Sequence, residues 1–580
     1  MTIKNTLKKQ INQAVARQYN LLGFDFDINY PPTSELGDYA SNAAMILGQK
    51  LKRSPLDIAS GLAQQLARNK MWEKVEAVAP GFLNFYLSKE RAEKEMGKIL
   101  KQGKKYGGSN EGRGKTVVID YSAPNIAKKM HVGHLRSTVI GAAIYNLYKF
   151  IGYKVVGDNH LGDWGTQFGK LICQYKKIYG QKIKKDISVE EMERLYLDWH
   201  KEAKEKPEME EAARKELKKL QDKDKFNYAL WQLFYKVSLE EFKRLYELLG
   251  VKFEAWHGES FYNPMLPEVV AEALGKKVAA KSEGAIIIDL AKYNLPPLMI
   301  QKTDGAFLYG TTDLATIKYR EKHYHPSKNI YVVANQQALH FEQLFKAGKL
   351  LGYNKKMAMV HVKFGLILGR GGKKMSTRDG EVADLIEIIK EGKAKAKTRI
   401  QEKNNNLQPK EMETIAEAIA LGAIKFNDLS QNRLTDIVFD WDKMLNFESG
   451  SAPYLQYTYV RIQSIFKKIK KVNPGNKKRG GKKSALTDCQ ILAKPTETKL
   501  IKALLKFPEA IASAAEEYKP NIVASYLTEL AVSFHSFYEQ TPVLSADSKT
   551  QLARLKLITA VAQVMKTGLS LLGIETPDKM

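Results

Sequence analysis

Two histidines three residues apart, His131 and His134, close the run Pro124 to His134 (PNIAKKMHVGH). At the start of a helix that spacing puts both rings on one face. Gly133 between them has no side chain and lets a ligand come close to the backbone. Free N–H groups and the partial positive charge of a helix mouth suit a polyphosphate. Two imidazoles there can donate to a phosphate that gains negative charge in a transition state. The same run also fits two ordinary histidines at a helix cap. A zinc site does not fit, because neither Cys173 nor Cys489 lies near in sequence to complete a ligand set.

A second run, Gly369 to Gly380 (GRGGKKMSTRDG), mixes glycines with basic residues after a strand-like stretch, His361 to Leu368. Such a loop can cradle phosphates, with Lys374 and Ser376 as donors to a departing pyrophosphate. Taken alone it also reads as a solvated turn. It is not a Walker loop, and neither is Gly114-Lys115-Thr116, where Ser109 stands in place of the required glycine and a strand follows instead of a helix.

The elements that would position these runs follow from pattern. Thr116 to Tyr121 (TVVIDY) reads as a buried strand, followed by a proline-containing loop and a helix starting near Gly133, the opening of a parallel α/β sheet. Strand signals return at Ala285 to Leu290, Asn329 to Ala334 and His361 to Leu368. Residues from about Ile187 to Gly250 carry charge at helical period and read as long solvated helices inserted into that domain. The first 109 residues read as a small α/β module, with a helix at Pro55 to Asn69, a strand at Gly81 to Leu87 and a Gly-rich linker from Gly103 to Lys115. After about Asp384 nearly everything is helical, interrupted at Lys467 to Lys483 by a basic loop with Pro and Gly.

A chain of 580 residues exceeds one hydrophobic core, so three or four domains are expected. The formal net charge of +28 suits a polyanionic partner, nucleic acid or an anionic membrane, although lysine-rich surfaces also serve solubility. Two unpartnered cysteines exclude a disulfide framework. Met1 to Leu22 has no apolar signal core, and no run of apolar residues is long enough to span a bilayer, so a cytoplasmic protein without membrane contact is expected.

Together, the HxGH run and the KMS run about 240 residues later resemble the class I aminoacyl-tRNA synthetases, with His131-Val132-Gly133-His134 as the HIGH element and Lys374-Met375-Ser376 opening the KMSK element. Longer stretches are similar to arginyl-tRNA synthetases: Tyr121 to Thr138, Asn159 to Gly169, Tyr309 to Arg320 and Val332 to Phe345, in a likeness that runs nearly end to end. The resemblance implies a Rossmann-type parallel-sheet catalytic domain at residues 110–400, with its helical insertion near 185–255. It implies a small N-terminal α/β domain at 1–109 that meets the tRNA, a helical stem at 401–450 and an all-helical anticodon-binding domain at 451–580. It further implies ATP with Mg²⁺, arginine and tRNA as substrates, attack of the amino-acid carboxylate on the α-phosphate, and adenylate formation that needs tRNA. A monomer is expected.

By that resemblance the nucleotide would lie along Pro124, Asn125, Ile126, Ala127, Lys128, Lys129, Met130, His131, Val132, Gly133 and His134, with Lys374, Met375 and Ser376 closing over it. A guanidinium offers a planar fork of donors and needs a carboxylate beside it. Asp313, four residues after Tyr309, would pair with it while Tyr309 packs alongside. Asn125 and Gln337 would orient the α-amino and carboxylate end, with His134 also in the pocket and Asp120 a weaker candidate. One departure is plain: the fourth KMSK position is Thr377, followed by Arg378. In similar synthetases a lysine just before HIGH takes over the missing charge, a place held here by Lys128, with Lys129 next to it.

In the C-terminal region Tyr454, Tyr457 and Arg461 recur at helical spacing, a face that could stack unpaired bases or pack in a core. The resemblance assigns the first three, with Tyr538 and Met580, to tRNA. Rival readings are a small-molecule HxGH nucleotidyltransferase, a catalytically dead RNA-binding paralogue and a synthetase for another amino acid. The roughly 130 residues after Gly450 count against the first, and the intact His131, His134 and Lys374 against the second.

Overall fold

The computed structural model describes residues 2–369, 372, 383–403, 407–472 and 492–580. Lys374, Met375 and Ser376, and most of the basic run Lys467 to Lys483, lie outside them; Lys467 itself sits on the helix Ala452–Val472.

At the centre is a four-stranded parallel sheet in the order Ala358–Phe364, Lys328–Ala334, Thr116–Asp120, Lys154–Asp158. The register pairs Val117 with Lys328 on one side and with Val155 on the other. Continuous apolar runs inside the strands, Val117 to Ile119 and Ile330 to Ala334, suit a sheet covered on both faces. From Thr116–Asp120 the chain moves to one neighbour and later returns to the other. The strand order therefore reverses between Asp120 and Ala334, and open α/β sheets bind ligands in that crevice. The HxGH run leaves one lip of it, and the turn Asn335–Gln337 leaves the other.

The charged stretch forms the helices Val189–Ala203, Glu208–Gln221 and Lys225–Leu248, preceded by Thr166–Tyr179. They are less detached than the charge density suggests. Lys225–Leu248 turns Ser238 and Tyr246, both buried, into the central domain. The strand expected near Ala285 belongs to a separate antiparallel sheet of Ala279–Ser282, Ala285–Ile288 and Leu298–Gln301.

The N-terminal module wraps helices Ile3–Tyr19, Ala43–Leu51 and Pro55–Leu66 around a four-stranded sheet. It docks on the C-terminal helices through buried Glu509, which accepts from the Lys4 backbone N–H (2.8 Å) and from the hydroxyls of Tyr39 (3.2 Å) and Tyr30. Within the linker, the ring of Tyr106 stacks on Phe507 of the C-terminal helices. Helices Leu385–Lys403 and Pro409–Leu429 pack as a pair, the second within the stretch expected as a stem, and the helices from Ala452 to Leu571 form the C-terminal bundle.

Candidate active site

Between the central strand and the helix Val132–Phe150, Ser122, Ala123 and Ala127 have left-handed φ angles of 74°, 48° and 61°. Side chains in that region are strained, and such strain persists only where surroundings impose it. Here they do. Ser137 Oγ accepts the Ser122 N–H at 2.9 Å, Asn159 Oδ1 accepts that of Ala123 at 3.1 Å, and Ser238 Oγ of the inserted helix accepts that of Ala127 at 2.8 Å. Asn125, exposed at the lip, lies against Gly162, where a Cβ would come within 1.9 Å of its Oδ1.

His131 caps the helix. Its Nδ1 accepts the Gly133 N–H at 3.0 Å, and its own N–H donates to Nδ1 of His134 at 3.3 Å. The rings lie 4.0 Å apart. A Cβ on Gly133 would meet His131 Cε1 at 2.7 Å, so glycine is needed for the ring to fold back as well as for ligand approach. Because both Nδ1 atoms accept, each neutral ring carries its proton on Nε2. Burial, then the neighbouring His131, pushes His134 down to about 3, and burial with Lys128 lowers His131. Both are neutral hydrogen-bond donors near pH 7.

The two lysines diverge. Lys128 lies 4.3 Å from the ring centroid of Tyr196 on the inserted helices, half-buried and lowered by desolvation, and its charge reaches both histidines. Lys129 is paired with Asp384 (3.3 Å) and Glu190 (3.5 Å).

Residues 383–385, just after the KMS run, are stitched to the HxGH segment. The Val132 N–H donates to Ala383 O (3.0 Å) and the Leu385 N–H to Met130 O (3.1 Å). Ahead of the run, Leu366 O accepts from Arg136 Nη1 at 3.3 Å. Both flanks of the KMS run are tied to the segment that holds His131 and His134.

Across the crevice, helix Tyr309–Tyr324 begins with Tyr309, 73% exposed, and carries Asp313 one turn on. His340 Nε2 donates to Asp313 Oδ2 at 2.6 Å. Burial, with the charges of Asp163 and Asp313, raises Glu259 to about 8, and burial, then Glu259, raises the Tyr309 phenol. Asp313, Glu259 and Tyr309 thus stand close enough together to act on one another's charge. Gln337 is exposed at the end of the turn that leads into the His340 helix. Asp120 is differently employed: buried, it pairs with Arg320 Nη2 at 2.6 Å, and Arg320 also holds Asp158 at 2.8 Å. It braces the helix of Tyr309 and Asp313 against the sheet. Glu259 and His340 escape sequence pattern. Glu259 sits in a short turn-like stretch, and only the position of His340, three after Gln337, could have drawn notice.

In the C-terminal bundle Tyr457, Arg461, Tyr538 and Met580 line one cleft of about 700 Å³. The Arg461 guanidinium lies 5.4 Å from the Tyr457 ring centroid and 5.0 Å from that of Tyr538. Tyr454 is 7% exposed and packs on His535, beneath that surface.

Residues 95–441 match the family described as tRNA synthetases class I (R), catalytic domain. The chain belongs to the class I arginyl-tRNA synthetase family. Residues 2–87 match the arginyl tRNA synthetase N terminal domain and 455–580 the DALR anticodon binding domain. An arginine–tRNA ligase of Halothermothrix orenii is 42% identical over 100% of this chain and 99% of its own length. One of Fusobacterium nucleatum is 42% identical over 96% and 95%. The crystal structure of the Plasmodium falciparum arginyl-tRNA synthetase superposes with a TM-score of 0.84 at 28% identity, covering all of both chains. The Rossmann-type catalytic domain with small N-terminal and helical C-terminal domains agrees with that family. Among the described residues no helix is long and apolar enough to cross a membrane.

Proposed function

We propose that this chain joins arginine to its tRNA in two steps on the crevice described above. The arginine carboxylate attacks the α-phosphorus of Mg-ATP, pyrophosphate leaves, and the terminal ribose hydroxyl of tRNA then attacks the arginyl carbonyl, releasing AMP. The observation that carries the reading is the pairing of two neutral Nε2–H donors at a helix mouth with an acidic pocket across the crevice. As neutral Nε2–H donors the imidazoles stabilise charge developing on the phosphates by hydrogen bonding, without carrying a charge of their own. Asp313 and Glu259 receive the guanidinium, Tyr309 covers it, and Asn125 and Gln337, at the two lips, hold the α-amino and carboxylate end. Binding that positions both reactants replaces any covalent enzyme intermediate.

Lys374 and Ser376 close over the pyrophosphate from a run whose flanks are bound to the HxGH segment. Lys128, whose charge reaches both histidines, supplies the cation absent at Thr377, whereas Lys129 is already paired. Tyr457, Tyr538 and Arg461 form a platform for unpaired anticodon bases, with Met580 at its edge and Tyr454 supporting it from below. The N-terminal domain meets the tRNA from the other side, and tRNA is required for adenylate formation. The +28 charge favours that polyanion, and two cysteines without a disulfide framework suit a cytoplasmic monomer. Charging total tRNA with each amino acid in turn tests the reading: arginine alone is expected to be esterified, and lysine charging without arginine charging would refute it.

A further inference from the structure

Asp313 does not wait unpartnered for its substrate. Its Oδ2 accepts a 2.6 Å hydrogen bond from His340 Nε2, and both side chains are largely shielded, at 22% and 25% exposure. The two residues come from different elements, Asp313 from the first turns of Tyr309–Tyr324 and His340 from the first turn of Ala338–Leu351, both across the crevice from the HxGH run. Gln337, exposed, closes the turn that leads into the His340 helix. The described residues give the other oxygen of Asp313 no hydrogen-bond partner.

We propose that His340 is the positioning residue that makes Asp313 selective for a guanidinium. The inference rests on Asp313 as the partner of the substrate side chain. With Oδ2 committed to the protein, the carboxylate cannot turn both oxygens on a compact ammonium. A second carboxylate, Glu259, acts on the same space. A planar guanidinium carries donors spread widely enough to serve two separate acceptors, whereas a lysine ammonium is a point charge. Fixing Asp313 therefore favours arginine over lysine through geometry, since both substrates carry the same charge.

The pair also links substrate binding to protons. The hydrogen bond to Asp313, and then its charge, raises His340 above the ordinary histidine value against the opposing effect of burial. A guanidinium arriving beside Asp313 adds a positive charge and lowers that value again, so arginine binding expels a proton. The other titratable groups around the pair are Glu259 and, behind it, Asp163, the buried Tyr331 phenol on the strand, and His361 on the next strand, which burial pushes to about 4 and keeps neutral.

The test measures arginine, lysine and ATP kinetics for the full enzyme with tRNA, comparing His340→Ala, His340→Gln and Asp313→Asn across pH. His340→Ala is expected to raise the arginine KM about tenfold while kcat and the ATP KM stay within about twofold, and to reduce arginine-over-lysine discrimination. His340→Gln, which keeps an amide donor near the place of Nε2, should recover most of that loss. It should also remove the fall in arginine KM as pH rises through the His340 titration, while the change toward pH 8 owed to Glu259 persists. An unchanged arginine KM in His340→Ala, alongside a large rise in Asp313→Asn, overturns the proposal and leaves the pocket intact. If Asp313→Asn also binds arginine normally, the pocket reading has failed and the proposal with it. A uniform loss of kcat and melting temperature that glutamine does not repair would show a packing role and likewise reject it.

Discussion

Arg136 and Asp428 form a fully buried ion pair, Nη2 to Oδ1 at 3.2 Å, with each side chain 1% exposed. Arg136 stands two residues beyond His134 on the same helix, and Asp428 lies near the end of the stem helix Pro409–Leu429. The guanidinium also donates to Leu366 O, Thr435 O and Arg433 O, at 3.3, 2.9 and 3.2 Å. Arg433 reaches on to Lys363 O (2.7 Å) and to Tyr518 O of the C-terminal bundle (3.1 Å). One buried cation thus joins the helix mouth, the approach to the KMS run and the stem.

Removing one partner of such a pair leaves the other charge buried, at a cost of about 3–5 kcal/mol. Arg136→Met and Asp428→Leu are each expected to destabilise the chain by that order in urea unfolding. The double variant should recover part of the loss, because no buried charge remains. Equal additivity of the two single effects would argue against a direct pair.

The two imidazoles act as neutral donors, so their loss should appear in turnover. His134→Ala is expected to lower kcat about 10²–10³-fold, comparable to deleting one transition-state donor, while the arginine KM moves little. Arginine activation rates in the presence of tRNA would show this. With His134 held at about 3, no acid limb from this group should enter the kcat profile between pH 6 and 8, since it gains no proton there.

Much of this arrangement was legible in the residues. HxGH at a helix mouth and the parallel sheet around Thr116–Asp120 are local patterns, and a local pattern survives into the fold. The ion pair of Asp120, a weaker candidate for the substrate pocket, is not legible in the sequence, because its partner, Arg320, lies 200 residues away and no spacing rule reaches that far. The same holds for Glu259 and Asp313, which share a pocket only because the Glu259–Tyr262 turn packs on the Tyr309 helix. Tyr454 shows a limit of spacing alone. Helical spacing puts it on the face of Tyr457 and Arg461, but whether that end of the face is open depends on the neighbouring helix, whose His535 covers Tyr454.

Glu259 gives a pH signature. Its carboxyl is raised to about 8 in the arginine-free pocket, so at lower pH it holds a proton that a guanidinium must expel. Arginine KM is therefore expected to fall as pH rises toward 8 and to level off above it. Glu259→Gln should raise the arginine KM and remove that slope. An unaltered slope would place the titrating group elsewhere.

The C-terminal cleft makes a separable prediction. Tyr457→Ala and Tyr538→Ala are each expected to weaken tRNA binding by about 1–3 kcal/mol, the value of one stacked base, with arginine and ATP binding unchanged. A salt series should show the slope of log Kd nearly unaltered by the tyrosines and reduced in Arg461→Met, because only the cation displaces counterions. Filter binding at several salt concentrations separates the two effects.

The most direct measurement is a crystal structure with a non-hydrolysable arginyl-adenylate analogue and tRNA. The guanidinium is expected between Asp313 and Glu259, the bridging group beside Nε2 of His131 and His134, and Lys374 within reach of the phosphate side. An analogue bound away from the crevice between Asp120 and Ala334, or an arginyl side chain directed away from Asp313, would contradict the account.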